Sequence, residues 1–318
     1  MKSSYWRSII LSVISLGLIT AFFDYLYLNA DKYLDLLQVS TSGVIVLFAL
    51  SLAFPLISGI SNAYLFRAMG AGISYWEGFL LAAASTLANQ LPVSGGIISK
   101  GFYLKRRHDI SYARFFSATI ALFFCFFSVN GLIGVIILLY WAVSENAPVY
   151  PFLLIGFSLM AACLLIFWLP LERIKIPEKV RKWFHQAVEG WMLISGNYVL
   201  LLRLIGLQTV LMLLLAIRYW LAFHMLSQNI TLDQAVLIST ASILTQLVSI
   251  APGGLGVRET IVGAVASALG FDVGTSVVAV GLDRLISTLG IFLTGGISTI
   301  VLSKQISDPS EQMDEQAT

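Results

Sequence analysis

An apolar run that begins at Ala235 is interrupted at Pro252-Gly253-Gly254-Leu255-Gly256-Val257-Arg258-Glu259, where a proline and three glycines are followed at once by two opposite charges. Inside a bilayer, backbone that leaves helical geometry is tolerated only where protein or a wet cavity satisfies its N–H and C=O groups, because lipid cannot. The charges tighten the constraint. Each costs roughly 2.5 to 3.5 kcal/mol at the membrane centre on insertion scales, so both must face a partner or a substrate. The segment reads either as a site, or as a place where glycines bring helices close and the two charges pair at the interface.

Composition supplies the bilayer. Of 318 residues, 58% are hydrophobic and 11% charged, and several apolar runs are long enough to cross a hydrocarbon core of roughly 30 Å. The expected fold is an all-α polytopic integral membrane protein. Residues 8–23 follow Lys2 and Arg7, but no small-residue cleavage site precedes Asp24-Tyr25-Leu26-Tyr27, so this run counts as a first span and not as a signal peptide. Cys125 and Cys163 lie within apolar runs, where cysteine behaves as a small hydrophobe. Neither a disulfide nor a metal or cofactor is expected, and no nucleic-acid partner is indicated.

Basic residues set the topology. The loop at 24–38 carries Asp24, Asp31 and Asp35 against Lys32 alone, whereas Lys2 and Arg7 precede the first span. The positive-inside rule therefore makes the N-terminus cytoplasmic. Residues 41–60 return to the cytoplasmic side, where Arg67 falls in a link with Tyr64, Tyr75 and Trp76 as interface anchors. The run at 78–91, the break at 92–96 and the basic cluster Lys105-Arg106-Arg107-His108 then begin and end on one side. Fourteen helical residues reach only about 21 Å, so the expectation is a re-entrant hairpin over 78–104 with its tip at Pro92, Gly95 and Gly96.

Residues 115–141 run outward, 150–169 come back, and 171–191 carry Arg173, Lys175, Lys179, Arg181 and Lys182 beside Ile176, Val180, Trp183 and Phe184. That stretch reads as a cytoplasmic connector lying on anionic headgroups. Residues 200–225 cross outward. A second hairpin over 234–270 has its tip at Pro252, Gly253, Gly254 and Gly256, and 277–302 form the last span. The sum is about six full spans and two hairpins, in one domain over 1–306, followed by a short acidic tail at 307–318 of disordered composition. A shift of 160 residues lays Pro92 on Pro252, Gly96 on Gly256, Leu87 on Leu247 and Ser85 on Thr245, and the loop charges put the two hairpins on opposite faces. That pattern is an inverted-topology repeat, and paired broken segments in two halves point to a transporter site near the midplane. Two unrelated glycine-rich packing helices are the alternative.

Four sets of charges remain within the membrane: Lys100, Arg258 with Glu259, Asp283 with Arg284, and Arg218. Asp283 and Arg284 are adjacent, diverge by about 100° on a helix, and so each needs another partner; Arg258 and Glu259 have the matching signs. Arg218, between Ile217 and Tyr219, is expected to snorkel to the outer interface. Lys100, Arg258 and Arg284 would together suit a phosphate or another anionic headgroup.

The motif Pro252-Gly253-Gly254-x-Gly256-x-x-Glu259, the polar-dotted helix before it and the span with Asp283-Arg284 resemble the lysylphosphatidylglycerol synthase transmembrane family of flippase-like proteins. The resemblance covers essentially the whole chain. It implies a likeness to the lipid-translocating half of the bifunctional aminoacyl-phospholipid synthases, or to stand-alone members near envelope glycolipid and polyprenyl-linked glycan pathways. The chain stops at Thr318, so a soluble aminoacyl-transferase domain, and with it lipid aminoacylation, is not expected. One departure lies in the first hairpin: many members carry charges near the positions of Ser94 and Ile97, and here only Lys100 is basic.

The leading expectation is movement of a polar-headed lipid or lipid-linked sugar between leaflets of a prokaryotic cytoplasmic membrane, with no enzymatic step. Membrane lipids are the expected partners, with an envelope glycosyltransferase or lipid-modifying enzyme as a further one. A non-transporting scaffold for such an enzyme is the alternative class. A membrane-embedded transferase fits least, since His108, His185 and His224 fall in loops or near span ends without an evident nucleophile.

Overall fold

The computed structural model describes residues 40–90, 95–144, 150–168, 178–243 and 257–307, and among these there are helices and no strand. In chain order they are α1 (Thr41–Ala68), α2 (Tyr75–Ala88), α3 (Gly95–His108), α4 (Tyr112–Ser144), α5 (Pro151–Ala162) with a 3-10 turn at Cys163–Trp168, α6 (Glu178–Ser195), α7 (Tyr198–Met225), α8 (Leu232–Ile243), α9 (Val257–Ala268) and α10 (Val273–Ser307). Helices α1, α4, α7 and α10 are long and apolar enough to cross a membrane. The expected first span at 8–23, the tips at Pro92 and at Pro252, Gly253, Gly254 and Gly256, and the tail beyond Ser307 lie outside the described residues. The span expected at 150–169 is a short α-helix that tightens into the 3-10 turn.

Local chemistry sets the helix ends. Ser40, Ser74 and Asn197 cap α1, α2 and α7, each side-chain oxygen accepting from the backbone N–H three residues on. Gly70, at φ 92°, closes α1 in a Schellman motif in which its own N–H bonds Arg67 O and the Ala71 N–H bonds Phe66 O. Gly270, at φ 91°, closes α9 in the same way through Ser267 O and Ala266 O. Left-handed Ser227 and Asp109 follow α7 and α3. Helix α1 runs on past residue 60, the expected end of that span, and Arg67 belongs to its last turn.

The order long, short, short, long occurs twice, as α1 to α4 and as α7 to α10. Within each set the short helices pack on one another and on the long helix that follows or precedes them. In the first set, Gly78 lets α2 lie against α1: a Cβ there would fall 2.5 Å from Gly59 O. Gly95 and Gly96, expected at the hairpin tip, sit in the first turn of α3. There Gly96 N donates to Asn89 Oδ1 at 2.9 Å, and a Cβ on Gly95 would fall 2.5 Å from Ala88 O. The α2–α3 pair is thus held shut at its tip by a backbone contact that only glycine permits.

Among the described residues two large cores result, with two smaller clusters beside them. One gathers Phe66, Leu80, Leu104, Phe115, Ile194 and Leu204 around α2 and α3; the other gathers Tyr219, Phe223, Leu237, Ile238, Val262 and Val280 around α8 and α9. The first marks the basic end of the bundle, where Lys105 to His108 emerge. Helix α6 lies at that end and buries Val188, Trp191 and Ile194 while His185 and Glu189 stay exposed. Large apolar side chains stand exposed on the flanks, among them Phe152 (86%), Leu159 (67%) and Leu285 (66%). Large apolar side chains exposed in such numbers are what a lipid-facing surface requires.

Candidate functional site

Helix α10 carries the centre of the site. Asp283 and Arg284 point to different neighbours because adjacent residues on a helix diverge by about 100°. Asp283 faces α7, where Arg218 donates from Nε to Oδ1 at 2.8 Å and from Nη2 to Oδ2 at 2.9 Å. Arg284 faces α9, where its Nη1 donates to Glu259 Oε1 at 2.7 Å. The planar guanidinium matches a carboxylate in two-point contact, which makes the Arg218–Asp283 pair the more directional of the two. Glu259, Arg218 and Asp283 are all buried.

Two expectations change here. Arg218 does not snorkel to an interface: with 6% of its surface exposed, it is buried beside the fully buried Tyr219. The reason is Asp283, which supplies a partner inside the bundle 65 residues away in sequence. For the same reason Asp283 is satisfied by Arg218 and not by Arg258. The pairing expected between Glu259 and Arg284 is present.

Arg258 opens α9 directly after the proline and glycine break, is partly exposed, and has no ion pair among the described residues. It acts electrostatically on Tyr219, as do Asp283 and Arg218. Among the described residues, the guanidiniums of Arg218, Arg258 and Arg284 lie on the same three helices as the carboxylates of Glu259 and Asp283, and Arg258 is the one with no ion pair to either carboxylate. Polar side chains continue the region on α8: Ser239 Oγ donates to Val236 O, Ser242 Oγ to Ser239 O, and buried Thr240 Oγ1 has no partner among the described residues.

Lys100, on α3, belongs to the other pair of short helices. Its Nζ donates to Asn62 Oδ1 on α1 at 3.4 Å, a long bond, and the Asn62 amide nitrogen is buried without a partner among the described residues. Each pair of short helices therefore has a cation near the end that faces its break.

A third polar cluster had no sequence signal beyond Ser74-x-x-Glu77, the spacing of a capping box. The Ser74 half of that box forms, but the Glu77 carboxylate turns away from the helix end. Its Oε1 instead accepts from Tyr103 OH at 2.5 Å and lies 2.9 Å from His108 Nε2 and 3.4 Å from Arg107 Nε. Arg107 Nη1 also donates to Gln305 O near the end of α10 at 3.1 Å. At the opposite end Trp141 Nε1 donates to Asp233 Oδ2 at 2.6 Å, in the first turn of α8. An acidic residue thus anchors the first turn of both α2 and α8.

Comparison with known proteins gives a consistent picture. The family described as the lysylphosphatidylglycerol synthase TM region matches residues 8–295. The UPF0104 membrane protein PH1989 of Pyrococcus horikoshii is 36% identical over 81 residues, which cover 26% of this chain and 24% of that protein. The aligned stretch is therefore about a quarter of the length of that curated relative. No solved structure matches.

Proposed function

Because the chain belongs to the lysylphosphatidylglycerol synthase transmembrane-region family, we propose that this multi-pass membrane protein moves a polar-headed lipid between the leaflets. The observation that carries the reading is the charge set on α7, α9 and α10. One buried and one part-buried ion pair brace α10, and Arg258, beside the break in the apolar run, is left without an ion pair among the described residues. A structural network alone has no use for the extra guanidinium, whereas an anionic headgroup does.

In this reading the headgroup passes between the two pairs of short helices while the acyl or prenyl tail stays in the bilayer. Arg258 and, from the first pair, Lys100 take the anion, and Glu259, Arg284 and Asp283 hold the basic side in place. The substrate is an anionic or aminoacylated phospholipid or a lipid-linked sugar, and no cofactor or catalytic residue takes part. The inverted-topology repeat is supported by the repeated order of long and short helices, by the left-handed residues after α1 and α7 and after α3 and α9, and by the acid in the first turn of α2 and α8. The setting proposed is a prokaryotic cytoplasmic membrane with both termini on the cytoplasmic side, in company with an envelope-lipid or glycan enzyme.

The test is a reconstituted assay with labelled phosphatidylglycerol in one set of vesicles and labelled phosphatidylcholine in another. The parent is expected to accelerate movement of the anionic lipid, and Arg258→Gln to abolish it while shifting Tm by no more than about 3 °C. Parental rates in Arg258→Gln would remove this residue from the mechanism. No movement of any lipid by the parent would favour the non-transporting scaffold.

A further inference from the structure

A patch at the basic end lies outside the charge set just described. Arg67, in the last turn of α1, donates from Nε to Ile73 O at 2.7 Å, and its guanidinium carbon stands 4.1 Å from the centre of the Tyr75 ring at the start of α2. Tyr75 meets Tyr64 edge to face with centroids 6.0 Å apart, and Arg203, in the early turns of α7, stands 5.3 Å over Tyr64. Next to them Trp76 stacks on Phe79 and is 62% exposed. Three helices thus present two exposed guanidiniums linked through a pair of touching rings, with an exposed indole at the edge.

Charge balance decides what such a patch can take. The carboxylates at the neighbouring helix ends are committed elsewhere, Glu77 to Tyr103, His108 and Arg107, and Asp109 to Lys105. Among the described residues, neither Arg67 nor Arg203 has an ion pair. A tyrosine ring stands within cation–π reach of each guanidinium. Arg67 spends its Nε on Ile73 O, and a guanidinium carries four further N–H donors, arranged in a plane that matches phosphate oxygens. The surroundings specify the source of the phosphate. Tyrosine and tryptophan at the end of lipid-facing helices lie at headgroup level, where the phosphates of anionic phospholipids are found.

We propose that Arg67, Arg203, Tyr75 and Trp76 form a binding site for an anionic phospholipid of the leaflet at the basic end, its phosphate shared by the two guanidiniums. Occupancy ties α1 and α2 to α7, and so joins the two sets of helices through a lipid. This is a retention site, distinct from Arg258, and it stands whether or not the protein moves lipid.

The purified full chain, carrying Arg258→Gln with Lys100→Gln so that the headgroup site proposed above contributes nothing, is titrated in neutral detergent with dioleoyl phosphatidylglycerol or dioleoyl phosphatidylcholine. Bound lipid is counted by native mass spectrometry. Phosphatidylglycerol should be retained about tenfold more strongly than phosphatidylcholine, and Arg67→Gln with Arg203→Gln should bring it down to the phosphatidylcholine level. Arg203→Gln alone, which removes no hydrogen bond among the described residues, carries the test if the double variant does not fold, and should weaken retention at least about threefold. Arg106→Gln, exposed at the same end but outside the patch, should retain the lipid as the parent does. Equal retention of the two lipids, unchanged retention in Arg203→Gln, or an equal loss in Arg106→Gln would each overturn the site. Glycerol 3-phosphate at matched concentration should not displace the lipid; displacement would mean a site for free phosphate and overturn the lipid assignment.

Discussion

Arg218 on α7 and Asp283 on α10 meet in a two-point contact, Nε to Oδ1 at 2.8 Å and Nη2 to Oδ2 at 2.9 Å, with 6% and 1% of the two residues exposed. Each charge is tolerated inside the bundle only because the other is there. Removing one partner strands a buried charge, at a cost of about 3–5 kcal/mol, whereas replacing both with apolar residues of similar size is often close to neutral. Asp283→Leu and Arg218→Met are each expected to lower Tm sharply in detergent, and the double variant to recover most of the loss. Additive losses in that double-mutant cycle would show that the pair does not hold the two helices together.

The approach of α1 and α2 makes a second prediction. A Cβ at Gly78 would fall 2.5 Å from Gly59 O, which is backbone and cannot step aside, so Gly78→Ala should cost about 1–3 kcal/mol. Gly156 on α5 has nothing within 4 Å of its Cβ position. Gly156→Ala should therefore be neutral or gain up to about 1 kcal/mol from helix propensity alone. Thermal unfolding of the two variants side by side checks both, and equal effects would count against the close crossing.

How far the sequence reached follows from the range of each interaction. Apolar run lengths read out the all-helical membrane class, because the length and hydropathy of a run are local properties of the chain. The Glu259–Arg284 pair was also legible, since adjacent charges of opposite sign on one helix demand two different partners. Arg218 was misjudged because its neighbours Tyr219 and Trp220 look like an interface belt, while the residue that decides its fate lies 65 positions away on α10. The Glu77 cluster was hidden for a similar reason: a glutamate three residues after a serine looks like half of a capping box, and only packing brings Tyr103, His108 and Arg107 to it.

That cluster gives a pH prediction. Burial alone would raise the Glu77 carboxyl, but hydrogen bonds from His108 and Tyr103, with the charges of His108 and Arg107, outweigh it and hold the group below the usual carboxylate range. A carboxyl lowered by folding contributes stability that is fully present above its unfolded value and is lost as the pH falls through its folded value. The parent's Tm should thus fall between about pH 5 and pH 3. Glu77→Gln should start lower and fall less over the same interval. Parallel curves for the two proteins would remove Glu77 from the acid sensitivity.

The last prediction concerns the two ends of the bundle. Lys105 to His108 emerge at the end of α3, and Arg107 reaches Gln305 at the end of α10, so these elements share one face. The link after α7, with exposed Asn229, belongs to the opposite end, because a helix of 28 residues and about 42 Å separates it from Tyr198. If the basic end is cytoplasmic, as the positive-inside rule requires, single cysteines at positions 106 and 179 should be shielded from an impermeant maleimide applied to intact cells. A cysteine at position 229 should react. The background must lack Cys125 and Cys163. The short helix pairs supply the inner check, since α2 and α3 begin and end at the basic end and α8 and α9 at the other if the second set is the first turned over. Cysteines at Asp109 and Phe271, just beyond α3 and α9, should accordingly react from opposite sides. Labelling of both from the same side would overturn the inverted repeat even if positions 106 and 229 behave as expected.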